Sequence, residues 1–343
     1  VEHMTEIKKV GVLGAGLMGS GIAAHVANAG LQVVLLDIVP DGAENRNVIA
    51  EGAVARMIKQ KPAPFMDARN AKLITCGNLE DSLGLLADCD WICEAVLERP
   101  DIKHDVYKKI DAVRKPGSIV SSNTSTIRAK ELLDGMPESF RQDFLITHFF
   151  NPPRYMRLLE IVATDETRSS AKDAVSTFAD ISLGKGVVPC KDTPGFIANR
   201  IGTYWIQKAV VEALAGGVTV EEADAVLSRP VGIPKTGVFG LMDLVGIDLM
   251  PLVGKSLNDA VPNNDAFRAI YSAPEQLTAM IADGYIGRKG KGGFYRLNSD
   301  SGKRVKEVRD LSTGAYAPAA RPKLASVSAA KKNMRNLFEH DDH

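Results

Sequence analysis

Val10-Gly-Val-Leu-Gly-Ala-Gly-Leu-Met-Gly19 is the first apolar run of the chain, and Val33-Val-Leu-Leu-Asp37 closes the stretch that follows it. Val10–Leu13 is continuous and short, which predicts a buried strand. Residues 18–29 predict a helix, and Val33–Leu36 predict a second strand. Between the first strand and the helix stand Gly14, Gly16 and Gly19, with Leu17 and Met18 inside the spacing. Glycines at these intervals are weak evidence alone. Here a strand precedes them, a helix follows, and an acid ends the second strand, which together predict a dinucleotide cradle. Gly14 permits the tight turn, Gly16 lets the backbone approach a pyrophosphate, and Gly19 allows close helix–strand packing. The helix N-terminus adds free N–H groups and a positive dipole end. Asp37 can accept the ribose hydroxyls and would repel a 2′-phosphate, so the cofactor is expected to be NAD rather than NADP.

The pattern continues outward from this unit. A polar helical stretch (41–60) is broken by Pro62 and Pro64, and strands are predicted at Trp91–Val96, Ser118–Ser122 and Phe144–Phe149. Strands alternating with helical sequence give an α/β fold, a Rossmann-type doubly wound and mostly parallel sheet covered on both faces. After Pro194 the alternation stops. Phe196–Leu214 reads as one long helix, opened by an Asp192 cap, and Thr219 with Glu222 has capping-box spacing. We therefore expect a Rossmann-type domain over 5–190, an all-α helical domain over 191–295, and a basic solvated tail or linker over 296–343, where Lys303–Arg335 holds nine basic and two acidic residues. Val1–Met4 reads as a remnant of a tag junction.

Two residues stand out chemically. His148 ends the strand Phe144–Phe149, at the carboxyl edge where open α/β sheets bind ligands. Glu160 lies inside Leu-Leu-Glu-Ile-Val, whose apolar neighbours predict burial, and a buried carboxylate needs a partner. A Pro-Pro turn separates them, so the chain can double back and bring imidazole and carboxylate together as a base and its orienter. Two polar clusters point to the same edge: Ser121-Ser-Asn-Thr-Ser125, and Asp192-Thr-Pro-Gly-Phe-Ile-Ala-Asn199-Arg. Turn and cap chemistry accounts for either cluster equally well, and Asn199 faces the cleft or a neighbouring helix.

Taken together these motifs resemble the NAD-dependent 3-hydroxyacyl-CoA dehydrogenases of fatty-acid β-oxidation, over residues 7–295. Phe239-Gly-Leu-Met-Asp-Leu-Val-Gly-Ile-Asp248 and Gly287-Arg-Lys-Gly-Lys-Gly-Gly-Phe-Tyr295 extend the match. The resemblance implies that His148 is the general base for the 3-hydroxyl, that Glu160 orients it, and that Ser125 and Asn199 hydrogen-bond the substrate. It also implies that Glu98, Lys103, Asn151 and Lys289 contact the cofactor, and it places a CoA-binding arm after the second strand, where Arg56, Lys59 and Lys61 offer charge to the CoA phosphates. The product is the 3-ketoacyl-CoA. Relatives of this kind are homodimers or parts of a longer hydratase/dehydrogenase fusion. Two alternatives stay open: a dehydrogenase of a free hydroxy acid such as a sugar acid or carnitine, and a dinucleotide-binding protein without turnover.

Composition excludes several other classes. Lys plus Arg equals Asp plus Glu at 42 each among 343 residues, so no global field recruits nucleic acid or anionic membrane. Charged residues interrupt every apolar run before it can insert in a bilayer. The four cysteines show no paired CxxC spacing, so neither a metal site nor a disulfide framework is expected. With no export signal in the sequence, a cytoplasmic location is expected.

Overall fold

The computed structural model describes residues 6–299 and 302–340; the Val1–Met4 remnant lies outside the described residues. Lys9–Leu13 (β1) and Gln32–Asp37 (β2) pair in parallel, Val10 beside Val33 and Leu13 beside Leu36, with helix Leu17–Asn28 (α1) crossing between them. Ile74–Asn78 (β3), Trp91–Glu94 (β4), Ile119–Ser122 (β5), Phe144–Phe149 (β6), Leu158–Ala163 (β7) and Gly186–Cys190 (β8) complete an eight-stranded sheet ordered β3-β2-β1-β4-β5-β6-β7-β8. All pairs are parallel except β6–β7, which runs antiparallel. The reversal of strand order at β1 leaves a crevice at the carboxyl edge, where such sheets take ligands.

The sheet is buried on both faces, which is why its central strands are continuous apolar runs rather than alternating ones. One face packs Val10, Val12 and Leu35 against Ile22 and Val26 of α1 and against Ala50, Ala53 and Met57 of Val48–Lys59 (α2). The opposite face packs Leu13, Leu36 and Ile146 against Val106, Tyr107 and Ile110 of Pro100–Val113 (α3).

Four features differ from the sequence reading. The helix expected over 41–60 spans only Val48–Lys59, because Asn45 turns back on its own chain and accepts the Asn47 N–H. Strands β3 and β8 carry too weak a pattern to be read: both are edge strands, and β8 contains Pro189, which only an edge tolerates. The helix expected from Phe196 starts at Ala198, since Phe196 itself sits at φ +48°. Asp192 does not cap it. Its carboxylate accepts the Ala129 and Lys130 N–H groups (2.9 and 3.2 Å) and so caps the short helix Ala129–Leu132.

Two compact units divide between Ile197 and Ala198. The second contains helices Ala198–Gly216, Val220–Val226, Gly237–Val245, Leu249–Ala260, Ala266–Ile270 and Glu275–Ala282. The Thr219–Glu222 capping box forms, with both reciprocal bonds present. Among its described residues, the stretch expected as a basic tail instead carries strands and a helix, and the unit is not wholly helical. Tyr295–Asn298 (β9), Val305–Arg309 (β10) and Tyr316–Pro318 (β11) form an antiparallel sheet, followed by helix Ala325–Ala330. Val308 joins the core around Phe239 and Phe294, and some of the charges find partners: Arg296 pairs with Glu307, and Lys306 stacks on the Tyr295 ring. Net charge alone does not reveal such pairing. Among the described residues no single helix is long and apolar enough to cross a membrane.

Candidate active site

The glycine turn is shaped for a ligand's phosphates. Gly14 has φ +96°, and a Cβ there would lie 2.5 Å from the Ala95 carbonyl; one on Gly19 would lie 1.8 Å from the Gly14 carbonyl. Gly16 faces open space and caps α1 with no side-chain bond, so the first N–H groups of the helix have no side chain to answer them. Leu17 is 61% exposed beside this opening, and Met18 packs against the core. Asp37 ends β2, the position from which the sequence reading has it meet a ribose. It also has a task the sequence did not reveal: one carboxylate oxygen accepts the Ala15 N–H at 2.5 Å, tying the turn to β2. These residues fit a dinucleotide.

His148 and Glu160 are direct register partners across β6 and β7. Imidazole Nδ1 lies 2.7 Å from Glu160 Oε2, with His148 5% and Glu160 0% exposed. The other carboxylate oxygen accepts the Ile197 N–H at 3.0 Å. Because a carboxylate accepts, the Nδ1 that meets it carries a proton, and in the neutral ring Nε2 presents its lone pair. Phe150 and Phe196 wall the ring at 4.5 and 5.6 Å between centroids. The pair can therefore take up a proton from a bound hydroxyl while staying in one tautomer.

A second polar network lies at the ends of β4 and β5. Glu94 is fully buried and accepts Lys103 Nζ (2.7 Å), Tyr107 OH (2.8 Å), Ser122 Oγ (2.7 Å) and the Val96 N–H (2.7 Å). Lys103 is 1% exposed and reaches Glu98 as well, at 3.3 Å, so both carboxylates share its charge. Glu98 accepts the N–H groups of Ser125 and Thr126 and the Thr124 hydroxyl. Burial works to raise the Glu98 carboxyl, but the Lys103 charge and these donors outweigh it and hold it below the usual range. Glu98 thus shapes the Ser121–Ser125 turn, and Ser125 is left half-buried at the sheet edge. Asn123 Oδ1 accepts the Phe149 N–H at 2.9 Å, which joins this turn to the histidine strand. Sequence reasoning passed over Glu94, although Trp-Ile-Cys-Glu-Ala-Val carries the same buried-acid signal that singled out Glu160.

Asn151 is exposed at the start of the turn between β6 and β7. It lines one cleft with Leu17 and Gly21 of α1, Met57 of α2, Pro62 and Tyr155. Arg56, Lys59 and Lys61 are all exposed near this cleft, on α2 and just beyond it. The remaining expected residues belong to the second unit. Asn199 is the second residue of Ala198–Gly216 and is half-buried, and Lys289 is exposed and paired with Asp248 at 2.8 Å.

Comparison with known proteins identifies the family. The profile described as "3-hydroxyacyl-CoA dehydrogenase, NAD binding domain" matches residues 9–193, and that of the C-terminal domain matches 195–297. A probable 3-hydroxyacyl-CoA dehydrogenase of Deinococcus radiodurans is 42% identical, over 87% of this chain and 85% of its own length. A putative fatty acid oxidation complex trifunctional enzyme of Rickettsia prowazekii is 44% identical over 91% of this chain, but the chain spans only 44% of that relative. The solved (S)-3-hydroxybutyryl-CoA dehydrogenase of Ralstonia eutropha superposes with a TM-score of 0.67 at 31% identity, over 83% of this chain and 96% of that one.

Proposed function

The chain belongs to the 3-hydroxyacyl-CoA dehydrogenase family, oxidoreductases with an NAD-binding domain, and from that premise we propose that it oxidises a (3S)-3-hydroxyacyl-CoA to the 3-ketoacyl-CoA in fatty-acid oxidation. The observation that carries this reading is the 2.7 Å bond between His148 Nδ1 and the buried Glu160 carboxylate. His148 Nε2 takes the proton of the 3-hydroxyl as the C–O bond becomes a carbonyl. Glu160 keeps the ring in the tautomer that leaves Nε2 free and balances the imidazolium that forms. NAD, when bound, supplies the two-electron acceptor for the hydrogen on C3. The Ser125 hydroxyl donates to the substrate oxygen, and Glu98 fixes the turn that carries it. Phe150 and Phe196 exclude water from the imidazole, which strengthens each of these contacts. Four free cysteines, with burial pushing the Cys76 and Cys89 thiols up to about 11, fit work in a reducing compartment such as the cytoplasm.

The decisive experiment compares NAD reduction with (3S)-3-hydroxybutyryl-CoA and with free 3-hydroxybutyrate. The thioester is expected to win in kcat/KM by at least about 100-fold, the order of discrimination that several lost contacts produce. Equal efficiencies would favour a free-acid dehydrogenase, and turnover of neither would leave a binding protein.

A further inference from the structure

We propose that Lys185 is a positioning residue, holding the turn 151–156, which joins the strand of His148 to the strand of Glu160, and through it the segment 61–65. The inference rests on the function proposed above.

Lys185 follows Gly184 and precedes β8, and it is 3% exposed. Its ammonium does not meet a carboxylate. It donates to the Pro153 carbonyl and, at 2.9 Å, to the Met156 carbonyl, and it lies 5.6 Å from the centre of the Phe149 ring. Both carbonyls belong to the turn that joins the histidine strand to the glutamate strand. A buried cation is costly unless its protons are answered, so this arrangement persists only if the turn keeps its shape.

The turn is gripped from two other sides. Pro153 sits against α1 so closely that a Cβ on Gly21 would come within 2.9 Å of its Cδ. Arg154 Nη1 donates to the Ala63 and Phe65 carbonyls (2.6 and 3.0 Å), and Tyr155 OH donates to Ala63 at 2.9 Å. The segment so held directly follows α2, which carries Arg56 and Lys59. One ammonium group therefore supports a turn that contacts the cofactor helix and ties down the end of the CoA arm, while Lys185 itself lies beneath both. A neutral side chain of equal length fills the same space but leaves two buried carbonyls unanswered.

The test is Lys185→Met, with Lys185→Arg as the conservative variant, read by amide hydrogen exchange and by steady-state kinetics. The Tyr155 and Met156 N–H groups bond the Pro152 carbonyl (3.0 Å each), and the Met66 N–H bonds Asn28 Oδ1 (2.8 Å), so these three amides report the turn and the segment. In Lys185→Met they are expected to exchange at least about tenfold faster, while amides of β1, β4 and β5 stay within about twofold of wild type. The KM for the hydroxyacyl-CoA is expected to rise several-fold and kcat to fall about tenfold, with Lys185→Arg recovering most of both. Unchanged exchange at the three amides, or acceleration spread evenly through the sheet, overturns the proposal. Should Lys185→Met not fold, Lys185→Gln, which retains a donor, is read by the same amides against the same limits. Exchange is independent of catalysis: a wild-type protein that does not turn over the thioester refutes the proposed function, and the amides still decide the role of Lys185.

Discussion

One proton on the imidazole of His148 decides what that residue can do, and Glu160 decides where the proton sits. Replacing His148 with Gln is expected to lower kcat about 100- to 10,000-fold, the usual worth of a general base, with NADH affinity by fluorescence titration unchanged within about twofold. Glu160→Gln is expected to lower kcat as well, by at least about tenfold, since an amide can donate to Nδ1 and trap the wrong tautomer. Wild-type turnover in either variant refutes the base assignment. Asp37 bears on cofactor choice. Its carboxylate also holds the Ala15 N–H, so Asp37→Ser is expected to reduce kcat/KM for NAD about ten- to 100-fold while narrowing the preference over NADP, measured with both cofactors. Equal wild-type efficiency with the two cofactors refutes the selection argument. The burial logic that found Glu160 needs only the identities of its neighbours, so that residue was legible in sequence. The Ala15–Asp37 bond was not, because it depends on where a turn points a backbone N–H.

At the scale of elements, α1 and α2 make separate claims. Burial, reinforced by the Lys185 charge, lowers the His25 imidazole of α1 to about 4. A depressed folded value means that the unfolded chain binds the proton first. The contribution of His25 is thus complete above about pH 6.5 and is lost as pH falls toward 4, by up to about 3 kcal/mol at 1.36 kcal/mol per unit. Urea titrations at pH 7 and pH 5 are expected to show this loss, and His25→Leu is expected to flatten it. Helix α2 presents Arg56 and Lys59 with Lys61 beyond. The triple alanine variant is expected to raise the KM for hydroxyacyl-CoA and to weaken its dependence on salt, with kcat little changed, because exposed charges are screened within about 8 Å at physiological ionic strength. An identical response from a phosphate-free pantetheine thioester makes these residues a solvated face only. In the eight-stranded sheet the strands other than β3 and β8 were legible, five parallel ones because they are buried on both faces and β7 because the chain doubles back into it. Edge strands were not, since half of their pattern faces water.

At the scale of the whole molecule, buried groups of the two units are expected to respond to acid in opposite directions. Desolvation raises both Asp224 and Asp243 to about 6, against the pull of their backbone donors Phe239, Gly240, Phe294 and Tyr295. Raised carboxyls bind protons first in the folded state, so the contribution of Asp224 and Asp243 rises as pH falls from about 6 toward 3.8, while that of His25 in the first unit is lost. Hydrogen exchange at pH 7 and pH 5 is expected to show protection rising around Phe239 and Phe294 and falling around His25. Parallel shifts in both units refute the assignment. The boundary itself was approached by the change from alternating to helical pattern after Pro194. The strands β9, β10 and β11 were hidden, because charges paired across strands and laid on tyrosine rings look the same in composition as charges in water.

The antiparallel pairing of His148 with Glu160 also limits how this protein can vary. Side chains in a strand alternate between faces, so one residue inserted into or deleted from the turn between β6 and β7 either is absorbed within the turn or sends the glutamate to the opposite side of the sheet. Positions of that turn whose side chains make no contact described above, Met156 and Arg157, are open to drift and to design, but its length is not. A library that randomises residues 156 and 157 at constant length is expected to yield active clones, and one that changes the length of the turn by a single codon is expected to yield few.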